Sequence, residues 1–133
     1  MNFSIRKATK TDLPEVLSLV KELALYENAP KEVTITLEEL ENDGFSTHPL
    51  YWILLAENED GIMGMSFYYI RYSTWKGKTL YLEDLVVKEE FRRMKIGEAL
   101  FEATISAAKE IKAKLMTWQV LDWNEPAINF YKK

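Results

Sequence analysis

The sequence contains no cysteine and a single histidine, His48. The first absence removes disulfides, thiolate metal ligands and a cysteine nucleophile, so an acyl-cysteine intermediate is impossible. The second leaves a serine nucleophile without histidine-centred support. His48, which precedes Pro49 in a loop, reads as structural or solvated. No apolar run reaches the length of a membrane span, and the N-terminus lacks a signal-peptide pattern. A cytoplasmic protein without membrane contact is therefore expected. There is no Gly-Lys-Ser/Thr phosphate loop, which argues against a nucleotide hydrolase. Nor is there an excess of positive charge. The 21 acidic and 17 basic residues give a net charge of −4, a balance that disfavours nucleic acid and favours a cationic small molecule.

What is present fits one domain spanning 1–133, with no repeat, linker or low-complexity segment. At 47% hydrophobic and 29% charged, the chain can bury a core and is not disordered. Phe3 to Ala8 alternates apolar and polar, as a strand does. Asp12 with Pro14 and Glu15 reads as a capped helix start, and Leu13, Val16, Leu17, Val20, Leu23 and Ala24 form one helical face. Thr36 with Glu39 opens a second helix, for which Gly44 is the stop. Tyr51 to Glu57, Ile62 to Tyr72 and Thr79 to Val87 are strands joined by short turns, hence an antiparallel meander. Met63, Met65, Phe67 and Tyr69 would share one face of the middle strand, as core or dimer surface. Ile96, Leu100, Ala103, Ala107 and Ile111 keep helical spacing, Leu115 to Val120 is a strand, and Pro126 opens a short final helix over Ala127–Lys133. The order β-α-α-β-β-β-α-β-α predicts an α/β fold with a mixed, mostly antiparallel central sheet.

The stretch Tyr81 to Leu100 concentrates the chemistry. An apolar strand carrying Glu83 and Asp84 runs into a loop with Arg92, Arg93 and Lys95, then into a helix at Gly97. A helix N-terminus offers unpaired N–H groups and partial positive charge, which suits a pyrophosphate.

Five segments together resemble the GNAT family of acetyl-CoA-dependent N-acetyltransferases, within it the spermidine/spermine (diamine) branch that includes thialysine acetyltransferases. They are Ile5 to Thr9, Glu22 to Glu27, Asp43-Gly44-Phe45, Tyr81 to Asp84 and Trp123 to Lys132, in the right order and over essentially the whole chain. The resemblance implies acetyl-CoA as co-substrate, no metal, a homodimer, and direct transfer to a primary amine of a polyamine or diamine. Thialysine or another small amino acid is the alternative acceptor, and a catalytically silent acetyl-CoA-binding module is the rival of another class. Two departures stand out. Lys95 occupies the first glycine position of the family's phosphate loop. The chain also stops after the Asn-Phe-Tyr segment, where family members continue for roughly two strands, so the expectation is either a truncated domain or an edge supplied by another subunit.

Site roles follow from the same comparison of residues. Glu83 is the candidate base, through a water, although a carboxylate at a strand end can equally be neutralised by a lysine. Asp84 and Glu27 would make the pocket negative, and Tyr26 and Trp75 would pack on alkyl chains, with Thr117, Trp118 and Gln119 also on the acceptor side. Ser73 stands where the family has an acid, which weakens the case for a long polyamine such as spermine. Leu85, Val86 and Val87 would offer backbone groups to the cofactor's acetyl and pantetheine arm beside a bulge. Arg92, Arg93, Met94, Lys95, Ile96, Gly97 and Glu98 would cradle its pyrophosphate. Asn124, Glu125, Pro126 and Ala127 would hold the pantetheine, and Tyr131 would be the general acid toward the thiolate.

Overall fold

Ile53, Leu54, Leu55 and Ala56 are consecutive and all buried, so the strand that carries them is covered on both faces. The computed structural model, which describes residues 2–92, 94–118 and 127–129, shows how. Its elements are β1 (Ser4–Lys7), α1 (Leu13–Tyr26), α2 (Leu37–Gly44), β2 (Trp52–Asn58), β3 (Gly61–Ser73), β4 (Gly77–Val87), α3 (Ile96–Glu110), β5 (Leu115–Trp118) and β6 (Ala127–Asn129), with short 3-10 turns at Lys10–Asp12, Pro30–Glu32 and Glu89–Phe91. The strands form one sheet in the order β1-β2-β3-β4-β5-β6. Only β4 and β5 pair in parallel, across the α3 crossover, and the other neighbours are antiparallel. Among the described residues no helix is long and apolar enough to cross a membrane.

Each sheet face has its own core. On one side Ile96, Leu100 and Ala108 of α3 pack on Leu54, Met63, Tyr68, Leu80, Leu82 and Met116. On the other, Leu13, Val16 and Leu19 of α1 and Leu40 of α2 pack on Ile53, Leu55, Met65 and Val86. Each such side chain contributes about 1.5–3 kcal/mol on leaving water. One polar pair lies inside the α3 interface. Ser66 and Thr104 share a 2.6 Å hydrogen bond, and Thr104 donates to the Leu100 carbonyl at 2.7 Å, so neither hydroxyl is orphaned.

The α/β class, the helix positions and the strand meander match the expectations from sequence, and four details differ. Asp12 stands at the N-cap of α1, as expected, but its side chain makes no cap hydrogen bond there. It closes a capping box with Thr9 one turn earlier and accepts two hydrogen bonds from Arg6, which also reaches Glu57 at 2.8 Å. A carboxylate that can bind a guanidinium bidentately gains more there than at a helix end. Glu15, expected to complete that cap, instead approaches Lys88 at 3.5 Å. Met63 joins the α3 core rather than the face of Met65, Phe67 and Tyr69. The register slips between Ala56 and Glu57, leaving Met63 as the extra residue of a bulge. Finally, Ala127–Asn129 is a strand, not the start of a helix. Ile128 lies opposite Met116, and backbone pairing with β5 wins over helix formation at these three residues.

At the second helix the box expected from sequence is present: Glu39 N–H donates to Thr36 Oγ1 at 3.1 Å and Thr36 N–H to Glu39 Oε1 at 2.9 Å. Gly44 ends α2 for a packing reason. A Cβ there would lie 2.1 Å from the Tyr51 ring, whose hydroxyl donates to the Leu40 carbonyl.

The Arg6 guanidinium holds the Asp12 carboxyl down at about 2. A lowered carboxyl stabilises the fold above its unfolded value of about 3.9, and that stability is lost as pH falls toward 2. Asp12→Asn should lose about 1–2 kcal/mol at pH 6 and less at pH 3, as read by urea unfolding at both pH values.

Candidate active site

The site is set by a bulge in β4. Phe67 lies opposite Asp84 and Tyr68 opposite Leu82, so Glu83 is the extra residue. Opposed residues share a face, and Phe67 belongs to the α1 core while Tyr68 belongs to the α3 core. The bulge therefore turns Asp84 and Val86 toward α1, and Leu85 and Val87 toward α3. Without it Asp84 would follow Leu82 under α3. Glu83 itself is exposed.

Asp84 opens into a pocket of about 240 Å3 lined by Leu23, Glu27, Leu82, Glu83, Leu85, Phe101 and Trp118. Glu27 is the C-cap of α1, at the negative end of a helix with no basic residue in its last turn. That is an unfavourable place for an acid unless a cation binds there. Burial, then the charges of Glu83 and Glu27, push the Asp84 carboxyl up to about 6. Three carboxylates around one pocket make a receptor for an ammonium ion, and one of them can accept a proton near neutral pH.

A second pocket, of about 330 Å3, lies at the N-terminus of α3 and is lined by Val87, Phe91, Arg92, Lys95, Ile96 and Gly97. Lys95 is the N-cap and makes no side-chain cap, and the first backbone bond of the helix is Ala99 N–H to Lys95 C=O at 3.1 Å. The N–H groups of the first turn thus have no intrahelical partner. With two cationic side chains and no carboxylate among the described residues of its lining, the pocket fits a phosphate or pyrophosphate. Arg92 donates to the Val87 carbonyl at 3.3 Å and lies 5.5 Å over the Tyr26 ring, so this pocket and the end of α1 are joined by a cation–π contact.

The expected site residues divide accordingly. Glu27, Glu83, Asp84, Leu85 and Trp118 meet at the acidic pocket, and Val87, Arg92, Lys95, Ile96 and Gly97 at the basic one. Val86 is buried in the α1 core, while Met94 and Glu98 are exposed and line neither pocket. Tyr26 is exposed beneath Arg92. Trp75 and Thr117 lie elsewhere, in a pocket with Arg71, Ser73, Lys76 and Thr79. Arg93, Gln119, Asn124, Glu125, Pro126 and Tyr131 are outside the described residues, and Ala127 is described only as part of β6. Leu23, Leu82, Phe91 and Phe101 also line the two pockets and were not among the expected site residues. Their spacing matches ordinary helix and core positions, so no signal set them apart.

Comparison with known proteins gives the family. The model of the Acetyltransferase (GNAT) family matches residues 14–133. A Bos taurus thialysine N-epsilon-acetyltransferase is 38% identical over 136 residues, covering 96% of this chain and 80% of that protein. The human spermidine/spermine N(1)-acetyltransferase-like protein 1 is 36% identical, over 97% of this chain but only 20% of its own length. Among solved structures, the tetramutant of the BH1408 protein from Bacillus halodurans superposes with a TM-score of 0.72 at 28% identity, covering 91% of this chain and 85% of that one. An aminoglycoside acetyltransferase from an uncultured soil sample shares the fold at a TM-score of 0.75 and 19% identity, over 98% and 95% of the two chains.

Lys95 sits at φ 63°, in the left-handed region, whereas Gly97 does not, and a Cβ on Gly97 would meet Val87 only at an ordinary 3.6 Å. The backbone freedom of glycine is therefore wanted at 95. Lys95→Gly should stabilise the protein by about 1 kcal/mol in denaturant unfolding while weakening coenzyme A binding several-fold in calorimetry. Tighter binding would show that the lysine side chain obstructs the loop.

Proposed function

Since the chain belongs to the Acetyltransferase (GNAT) family and is an N-acetyltransferase, we propose that it acetylates a primary amine of a small cationic acceptor held in the Glu27–Glu83–Asp84 pocket. The observation that carries this reading is Asp84, a half-buried carboxyl raised to about 6 and faced by two further acids. GNAT acetyltransferases use acetyl-CoA, which supplies the acetyl group as a thioester. The pocket at the head of α3 is the proposed seat of its pyrophosphate, held by the first-turn N–H groups with Arg92 and Lys95.

The acceptor enters as an ammonium ion, with a reference pKa of about 10.4, and is attracted by the three carboxylates. Asp84 takes one proton, directly or through a water beside Glu83, and leaves a neutral amine with a free electron pair. The amine nitrogen then forms its bond to the acetyl carbon as the carbon–sulfur bond breaks. The sulfur leaves with the pair and takes a proton, for which Tyr131 is the proposed donor. The amine's second proton is lost to solvent, so the products are an amide and a thiol. From sequence Glu83 was the expected base. In the folded site it is exposed on the bulge, whereas Asp84 is half-buried in the pocket and raised to about 6, so we assign the proton acceptor to Asp84 with Glu83 adjoining it.

A polyamine or diamine is one acceptor that suits an acidic pocket. A diamino acid is the second reading, supported by the thialysine acetyltransferases among the relatives and by Ser73 in place of an acid.

Asp84→Asn should lower kcat/KM for the amine by at least about 100-fold and abolish the limb of the pH–rate profile near 6, while coenzyme A affinity changes less than about twofold. An unchanged profile would remove Asp84 as the proton acceptor. Tyr131→Phe should lower kcat about tenfold or more with coenzyme A affinity nearly intact, and unchanged turnover would remove its acid role.

A further inference from the structure

A cavity on the α3 face of the sheet shares no residue with the acidic pocket or the basic one. It holds about 470 Å3, within the roughly 300–1,000 Å3 of small-molecule sites. Its floor carries a cross-strand aromatic pair. Trp52 of β2 lies opposite Tyr68 of β3, with ring centroids 6.4 Å apart and planes inclined by 23°. Leu54 and Ile5 extend this apolar floor toward β1. The opposite wall is α3, where Ala103, Ser106 and Ala107 are too short to fill the space above the sheet.

Two polar groups in this apolar setting lack a partner among the described residues. Tyr68 is 6% exposed, and its hydroxyl forms no hydrogen bond to them. Among those residues Thr117 holds the fully buried orphan, so the Tyr68 hydroxyl keeps an opening, and the cavity it lines supplies one. The second group is Glu110, on the cavity rim. It ends α3, where the last carbonyls already carry partial negative charge, and it makes no ion pair with a described residue. Its charge is felt at Tyr68: burial, then Glu110, raise that hydroxyl above its ordinary pKa. Nearby cations do not neutralise it. Lys78 is held on the Ile111 carbonyl at 2.9 Å, and Lys7 stands on β1, two strands or about 10 Å from Tyr68.

We propose that this cavity is a second ligand site, for an organic ammonium ion with an apolar body, its charge set between Glu110, the Tyr68 hydroxyl and the Trp52 and Tyr68 rings. A cation over an aromatic face and beside a carboxylate is attracted by both, more strongly out of water. An anion of the same shape would meet Glu110 as a like charge. Because neither candidate pocket of the transfer reaction contributes a residue, the occupant need not be an acceptor.

The test uses ligands without a primary amine. Benzyltrimethylammonium, benzyl alcohol and phenylacetate carry the same ring with a positive charge, none and a negative one. Each is titrated into the full chain while the Trp52 indole N–H is followed by heteronuclear NMR, its signal assigned with Trp52→Phe. The expected result is a saturable shift with the cation, at a dissociation constant at least about tenfold below that of either other ligand. Glu110→Gln should weaken the cation about fivefold or more, and Asp84→Asn, in the acidic pocket, should change its binding here less than about twofold. Ala107→Phe, which fills the cavity from α3, should abolish it. Glu110 is exposed, so its substitution decides the matter if Ala107→Phe disturbs packing. Equal binding of the three ligands, tighter binding of phenylacetate, or no saturable shift with any of them would overturn the site. So would a cation that binds Glu110→Gln normally, or one that is lost from Asp84→Asn and belongs to the acidic pocket instead.

Discussion

The geometry of the site depends on one extra residue in β4. Because side chains alternate along a strand, inserting Glu83 exchanges the faces of everything that follows until the strand ends. Asp84 is thereby presented to the end of α1, where Glu27 waits, and Val87 to α3, where it borders the phosphate-sized pocket. The same insertion thus aims the acceptor carboxylate and shapes the wall of the cofactor pocket. The lateral Arg92–Tyr26 contact ties the two at the surface.

Such placement works against the fold. A carboxyl raised from its ordinary range to about 6 favours folding fully only below the unfolded value of about 3.9, and that contribution is lost as pH rises through 6. At neutral pH the native state therefore carries a half-buried charge beside two like charges. The Thr117 hydroxyl, which has no hydrogen-bond partner among the described residues, and the left-handed Lys95 are further local costs. All three lie in or beside the candidate pockets, while the two apolar cores and the Arg6–Asp12–Glu57 cluster carry the stability elsewhere. Strain concentrated where ligands are expected fits a site whose groups are satisfied on binding.

Most of the fold was legible because its signals are local. Alternation marked the strands, a capping box marked α2, and the apolar stripe from Ile96 to Ile111 marked α3. What escaped was decided by partners far apart in sequence. The Asp12 side chain, at the N-cap of α1, binds Arg6 of β1 instead of capping the helix, and Met63 changed face through a bulge that only its pairing with β2 reveals. Ala127–Asn129 became a strand because β5 offered it an edge. The site follows the same division. The acids Glu27, Glu83 and Asp84 and the basic loop could be named from chain order, but sequence could not say which carboxyl the bulge would turn inward. Nor could it show that Trp75 and Thr117 line a separate pocket of opposite charge.

The site depends on the state of one carboxyl, and a carbon-13 NMR titration of the Asp84 side chain in the free protein reads it directly. The expected midpoint is near 6, falling when Glu27 is replaced by glutamine. A midpoint near 4, as for a solvated aspartate, would contradict it and would return the proton-accepting role to Glu83 or to solvent.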